Sequence, residues 1–189
     1  MPRVTTHPVD PLFLRRWSPR AMSGTPVPRA QLLTLLEAAR WSPSGGNGQP
    51  WRFAYALAGT PHFDRYLATL VPGNLEWCGR AGALVLLAAK VVRDDGRPSP
   101  LAPFDAGAAW MGLALQGTIS GLVVHAMAGF DREAARQAAA LPAGVEPQVM
   151  IAVGHHGRVE DLPEKLRARE QPSDRLPLEA LSVEGRFGG

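Results

Sequence analysis

The sequence holds a single cysteine and, among its 20 basic residues, only two lysines, Lys90 and Lys165. With Cys78 alone, an intrachain disulfide is impossible and a zinc site built on cysteines is ruled out, so a reducing compartment, the cytoplasm, is the expected location. No apolar run is long enough to span a bilayer: residues 81–92 form the longest, well short of the roughly 20 residues such a helix needs. The opening MPRVTTHPVDPLFLRRW has no apolar core of signal-peptide length, so neither export by that route nor a membrane partner is expected. Clusters of Lys and Arg with interleaved aromatics are missing, and a net charge of +3 is spread along the chain, so no nucleic-acid partner is expected. Missing too are GxGxxG, GxxxxGK[ST], HExxH and GxSxG, which removes sequence support for dinucleotide-fold, P-loop, zinc-protease and hydrolase chemistry. The adjacent His155 and His156 point to opposite faces of a strand end and lack a third ligand at metal-binding spacing, so no metal site is expected. Chemistry is left to a bound organic cofactor.

What is present reads as one packed domain over 1–189: 46% of the residues are apolar and 20% charged. The arginine excess suits bidentate contacts with phosphate or carboxylate, although genome base bias produces the same composition. Asp10 and Pro11 have the cap and first-turn pattern of a short helix ending at 16. Pro28 opens a second helix, with Leu32, Leu33, Leu35, Leu36 and Ala39 as its apolar stripe. SPSGGNGQP at 42–50 can propagate neither helix nor strand. Strands are expected at 51–57, 82–92, 121–125 and 147–154, and shorter helices at 61–70, 74–80 and 131–140. The helix at 104–120 is apolar almost all round and must be covered on every side, which a monomer this small does poorly; an oligomer interface is therefore expected. The tail from about 171 has too few apolar residues to pack on itself, so it dangles or wraps a partner.

Three segments carry the functional signal. Arg16-Trp17-Ser18-Pro19-Arg20 follows the first helix, Pro43-Ser44-Gly45-Gly46-Asn47-Gly48-Gln49-Pro50-Trp51 enters the first strand, and Ser173-Asp174-Arg175-Leu176-Pro177 lies near the end. Singly, loop arginines are ordinary solvated surface and SGGNG is a flexible connection. Together, and in this order, they resemble the nitroreductase family, whose signature pairs R-x-S-x-R/K with P-S-x-x-N-x-Q-P-W and a late S/K-x-R-x-P. Gly129-Phe130-Asp131 and Val153-Gly154-His155-His156 also fall in the family's order, so the resemblance spans essentially the whole chain.

That resemblance implies an α+β fold of nitroreductase type, with a mixed central sheet flanked by helices. It also implies an intertwined homodimer whose segment beyond about 171 extends over the partner, and one FMN per subunit at the interface. Arg16 and Arg175 correspond to the pair that holds the FMN phosphate, for which guanidinium forks are well matched. Ser18 falls at the ribityl or phosphate end, with Trp17 contributing backbone. Arg20 falls near the N1 and C2 carbonyl edge, where positive charge favours the reduced flavin. Asn74 corresponds to a contact with the pyrimidine edge; as a bare residue it is equally a helix N-cap. The backbone at Ala128 and Gly129 falls near flavin N5, and Pro43, Ser44, Gly45 and Asn47 would close over the ring from the other subunit. The implied activity takes hydride from NADH or NADPH to a small-molecule acceptor, such as a nitroaromatic or quinone, in a ping-pong cycle without a catalytic side chain. A specialised flavin enzyme of the same fold (azoline dehydrogenase, dehalogenase or flavin-cleaving) and a non-catalytic flavin-binding protein are the alternatives.

Other residues have plainer expectations. Cys78 reads as a small core filler, His125 as a packed or hydrogen-bonded sheet residue, and Trp41, Trp51 and Trp110 as core or interface anchors. The pattern departs from the family where Trp77 stands at a position that some members give to lysine, where Trp17 is bulky, and where the connection at 92–103 is short. The short connection leads us to expect an open pocket with a broad acceptor range.

Overall fold

The computed structural model describes residues 3–187; residues 1, 2, 188 and 189 of the expected 1–189 domain lie outside the described residues. In chain order the elements are α1 (Pro11–Arg15), α2 (Arg29–Arg40), β1 (Trp51–Leu57), α3 (Pro61–Leu67), α4 (Pro72–Cys78), β2 (Ala83–Lys90), α5 (Ala102–Ile119), β3 (Val123–Met127), α6 (Arg132–Ala138), β4 (Val145–Gly154) and α7 (Glu164–Arg167).

Local chemistry sets most boundaries. Asp10 accepts from the Leu12 N–H at 2.7 Å and opens α1, Thr60 caps α3 ahead of Pro61, and Asp131 caps α6 by accepting from Ala134. Several ends differ from the sequence expectation. Helix α3 stops at Leu67 and not at 70, because Leu70 leaves to form a bridge with Phe130. Helix α4 begins at Pro72, whose ring fits the first helical turn. Strand β3 starts two residues later than expected, after Gly121 turns the chain at φ 70. The loop before β1 coils into a 3-10 turn at Gly45–Asn47, with Asn47 and Gln49 also at positive φ.

The sheet order is β1-β2-β4-β3. Its pairings are all antiparallel, which corrects the expectation of a mixed sheet. Strands β2 and β3 do run the same way, but β4 lies between them, so no parallel pair forms within the described chain. Strand β2 is buried along nearly its whole length and divides its side chains between two cores. Leu84 and Leu86 join Phe63, Tyr66, Trp77 and Met150 under α3, α4, α6 and α7. Val85 and Leu87 join Leu32, Leu35 and Leu113 under α2 and α5. Burial on both faces is why β2 reads as a continuous apolar run, and each fully buried Leu contributes roughly 1.5–3 kcal/mol relative to exposure.

Helix α5 lies close against the sheet: a Cβ on Gly117 would sit 2.3 Å from Val124 Cγ2. Apolar surface is left at its two ends, where Phe104 is 77% and Ile119 63% exposed. One chain covers this helix with the sheet and with α2 but leaves part of it exposed. Trp51 is buried in the core as expected, whereas Trp41 is 74% exposed and is not a core residue. The tail beyond 171 is exposed throughout its described length. No described helix is long and apolar enough to cross a membrane.

Candidate functional site

The chain leaves α1 in an extended path from Arg16 to Ser23 that is held from three directions. Glu170 Oε1 accepts from the backbone N–H groups of Arg20 at 2.7 Å and Ala21 at 2.8 Å. His125 Nδ1 lies 3.0 Å from the Pro19 carbonyl, to which it donates. The stretch after β4 pairs with the same path: Gly157 donates to Ala21, Ser23 donates to the His155 carbonyl, and Met22 bridges His156. Gly157 is needed there, because a Cβ would lie 2.5 Å from the Met22 carbonyl carbon. Backbone fixed this way presents the side chains of Arg16, Trp17, Ser18 and Arg20 to one place.

That place is a cavity of about 570 Å³, also lined by Arg3, His125, Arg169, Ser173, Arg175 and one carboxylate, Asp174, and its size suits a small organic molecule. It is strongly basic. Arg16 is half-buried and donates to Ser18 Oγ at 3.3 Å; Arg175 donates only to Ser173 and to the Asp174 carbonyl. Among the described residues none of Arg3, Arg16, Arg20 and Arg175 forms an ion pair. Burial, followed by the charges of Arg3 and Arg175, pulls the Arg16 guanidinium below its ordinary pKa; it remains charged at neutral pH. Unpaired guanidiniums converging on a cavity form an anion site by Coulomb's law alone.

Asn74, Ala128 and Gly129 are not among the residues that line this cavity; Asn74 Nδ2 donates to the Gly129 carbonyl at 2.9 Å. Asn74 lies inside α4 and Val71 occupies the cap position, so the N-cap alternative does not hold. Gly129 has no room for a side chain: a Cβ would lie 2.8 Å from Asn74 Nδ2 and 2.9 Å from Val71 Cγ2. Asn74, Ala128 and Gly129 therefore form one unit. Trp77 is buried with its ring 4.8 Å from that of His125, and its indole N–H has no partner among the described residues. It packs in the core and supplies no charge. Burial holds His125 below the ordinary histidine pKa, so the ring is neutral at pH 7.

The loop containing Pro43, Ser44, Gly45 and Asn47 is not brought to these arginines. It packs elsewhere on its own chain, where the Gly45 N–H donates to the buried Asp105 carboxylate at 3.2 Å and Ser44 Oγ accepts from Gln49. Within one chain the expected site thus lies in separate parts: the arginine cavity, the Asn74–Gly129 contact, and the loop at 43–47.

The sequence profile described as the nitroreductase family matches residues 14–71, which carry both Arg16 and the 43–51 loop. A solved FMN-containing oxidoreductase is 40% identical, covering 99% of this chain and 96% of its own, with a TM-score of 0.95.

The chain belongs to the nitroreductase family.

A nitroreductase-type protein from Desulfovibrio desulfuricans, solved in complex with FMN, is 25% identical over 97% of this chain and 100% of its own, with a TM-score of 0.75. An uncharacterized 15.4 kDa protein of Mycolicibacterium smegmatis is 38% identical over 124 residues, 65% of this chain and 82% of the relative. Against this nitroreductase-family frame, sequence reading missed Arg3 and Glu170. Both act across the chain, 170 residues to Ser173 and 150 to Arg20, and neither lies in a motif. His125 is expected to be packed or hydrogen-bonded in the sheet, and nothing in the sequence names Pro19 as its acceptor.

Proposed function

We propose that this chain is an FMN-dependent oxidoreductase that takes hydride from NADH or NADPH and delivers it to a small oxidised acceptor, a nitroaromatic, quinone or related compound. The observation that carries the proposal is the cavity where Arg16, Arg20 and Arg175 converge, with Asp174 the one carboxylate in its lining and no ion pair to any of the three among the described residues. These residues fit a phosphorylated flavin: Arg16, Ser18 and Arg175 would hold the phosphate, Arg20 the electron-rich edge of the ring, and Asn74 with Ala128 and Gly129 its far side. When bound, FMN supplies the hydride-accepting and hydride-donating chemistry. The chain's own contribution is to bind, to orient and to place positive charge. Fixed at its backbone by Glu170, Arg20 keeps its charge by the ring edge without reorganising.

The working unit is a homodimer. Phe104, Ile119 and Trp41 leave apolar surface that a second copy would cover, the exposed tail would extend over that copy, and residues 43–47 of one chain would close the site of the other. The cytoplasm is the proposed compartment.

Steady-state oxidation of NADH and of NADPH with a nitroaromatic or quinone acceptor tests the activity. Parallel double-reciprocal lines are expected, with acceptor reduced in step with nucleotide oxidised. Tight FMN binding with no acceptor-dependent oxidation of either nucleotide would leave a flavin-binding protein and overturn the enzymatic proposal.

A further inference from the structure

Arg3 lies outside every motif, yet it is one of the most firmly anchored side chains at the cavity. Its Nη1 donates to two main-chain carbonyls at the end of α1, Leu14 at 2.9 Å and Arg16 at 2.8 Å. Its Nε donates to the Ser173 carbonyl at 3.1 Å. One guanidinium from the N-terminal arm thus ties the start of the Arg16–Ser23 path to the segment that carries Arg175. An arginine has five N–H donors; the three contacts use those on Nε and Nη1, and Nη2 has no contact among the described residues. The side chain lines the same cavity as Arg16 and Arg175. All its acceptors are neutral carbonyls, so its charge is oriented but not neutralised.

Holding a third cation against two others is unfavourable without an anion. Burial and the neighbouring Arg175 both push the Arg3 guanidinium below its ordinary pKa, with only Asp174 acting in the opposite sense. A dianion such as a phosphate monoester removes that repulsion, because two negative charges then face three guanidiniums. A neutral ribityl alcohol does not.

We infer that Arg3 is a third phosphate-holding cation of this site, and that it sets the preference for a phosphorylated flavin over its dephosphorylated form. The inference rests on the FMN proposal above and adds to it a residue from outside the three motif segments. By bridging the Arg16 and Ser173 carbonyls, Arg3 also makes phosphate binding and placement of the 173–175 segment a single event.

The test compares binding of FMN and of riboflavin to the full-length protein and to Arg3→Gln and Arg3→Lys, by quenching of flavin fluorescence and without any turnover. Loss of one charge-assisted contact should weaken FMN binding to Arg3→Gln by roughly ten- to a hundredfold, with riboflavin binding unchanged. The Arg3→Lys protein keeps the charge but not the fork, and should recover part of the FMN affinity. It also shows the arm to be intact should Arg3→Gln prove poorly folded. Equal weakening of both flavins would make Arg3 a structural tie only and overturn the inference, as would FMN binding that neither substitution alters. Wild-type protein that binds neither flavin would overturn the FMN proposal itself, and this inference with it.

Discussion

Replacing Arg16 by Gln should have opposite effects on the protein without and with its cofactor. In the ligand-free chain, Arg16 makes one long hydrogen bond, 3.3 Å to Ser18, and pays for half-burial beside Arg3 and Arg175. That bond is worth at most about 1 kcal/mol, and each partly exposed like charge costs a few tenths to about 1 kcal/mol after screening. Gln keeps the stem and a donor while removing the charge. The ligand-free variant should therefore be as stable as wild type or more stable by about 1 kcal/mol, a Tm rise of about 2–4 °C for a chain of this size. With FMN the order should invert. Losing a charge-assisted contact to phosphate costs about 1.5–3 kcal/mol, so affinity should fall roughly ten- to a hundredfold or somewhat more, and the FMN-induced rise in Tm should shrink with it. Thermal melts of both proteins, with and without FMN and at low and high salt, read this directly; the ligand-free advantage should fade as salt rises. A ligand-free Arg16→Gln protein clearly less stable than wild type, with an undiminished FMN shift, would mean that Arg16 is structural and that the anion site is misplaced.

Three further outcomes follow from the same geometry. Gly129→Ala would put its Cβ against Asn74 Nδ2 and Val71 Cγ2; both are side-chain ends that can give, so the cost should be about 1–2 kcal/mol in a thermal melt, with FMN affinity falling several-fold or more as Asn74 is displaced. Burial depresses the His125 pKa in the folded state, so the unfolded chain takes up that proton first. Stability should therefore be fully present above about pH 6.5 and decline as pH falls below it, and His125→Gln should flatten that part of the profile in melts run between pH 5 and 8. Burial pushes the Cys78 thiol up to about 12, so a thiol reagent at pH 8 should label native protein negligibly and denatured protein with one equivalent.

The parts of the fold set by neighbours in sequence were legible there. Strand β1 was expected at 51–57 and spans Trp51–Leu57, because Pro50 ends the loop and the apolar pattern begins at once. Asp10, Pro11 and Asp131 marked helix starts through caps that are local by nature. Sheet order was not legible: nothing in Val145–Gly154 records that it inserts between β2 and β3, since both faces of all the central strands are similarly apolar. The candidate site divides the same way. Arg16, Ser18, Arg20 and Arg175 were named by the resemblance that their short strings carry, and the fold brings all four to the lining of one cavity. Glu170 reaches donors about 150 residues away and Arg3 joins carbonyls 11, 13 and 170 residues away, and Asn74 acquired its partner Gly129 through the docking of α4 on the turn after β3. The apolar character of α5 is evident in the sequence, but the single chain leaves Phe104 and Ile119 exposed.

The most direct test of the central claim is the absorption spectrum of the purified protein equilibrated with FMN and freed of excess, followed under anaerobic conditions by NADH and then NADPH. A retained flavin band that bleaches on addition of one nucleotide is the predicted result; it would establish both the cofactor and its reductant. A protein that leaves the column colourless and takes up no FMN would contradict the roles given to Arg16, Arg20, Asn74 and Arg175.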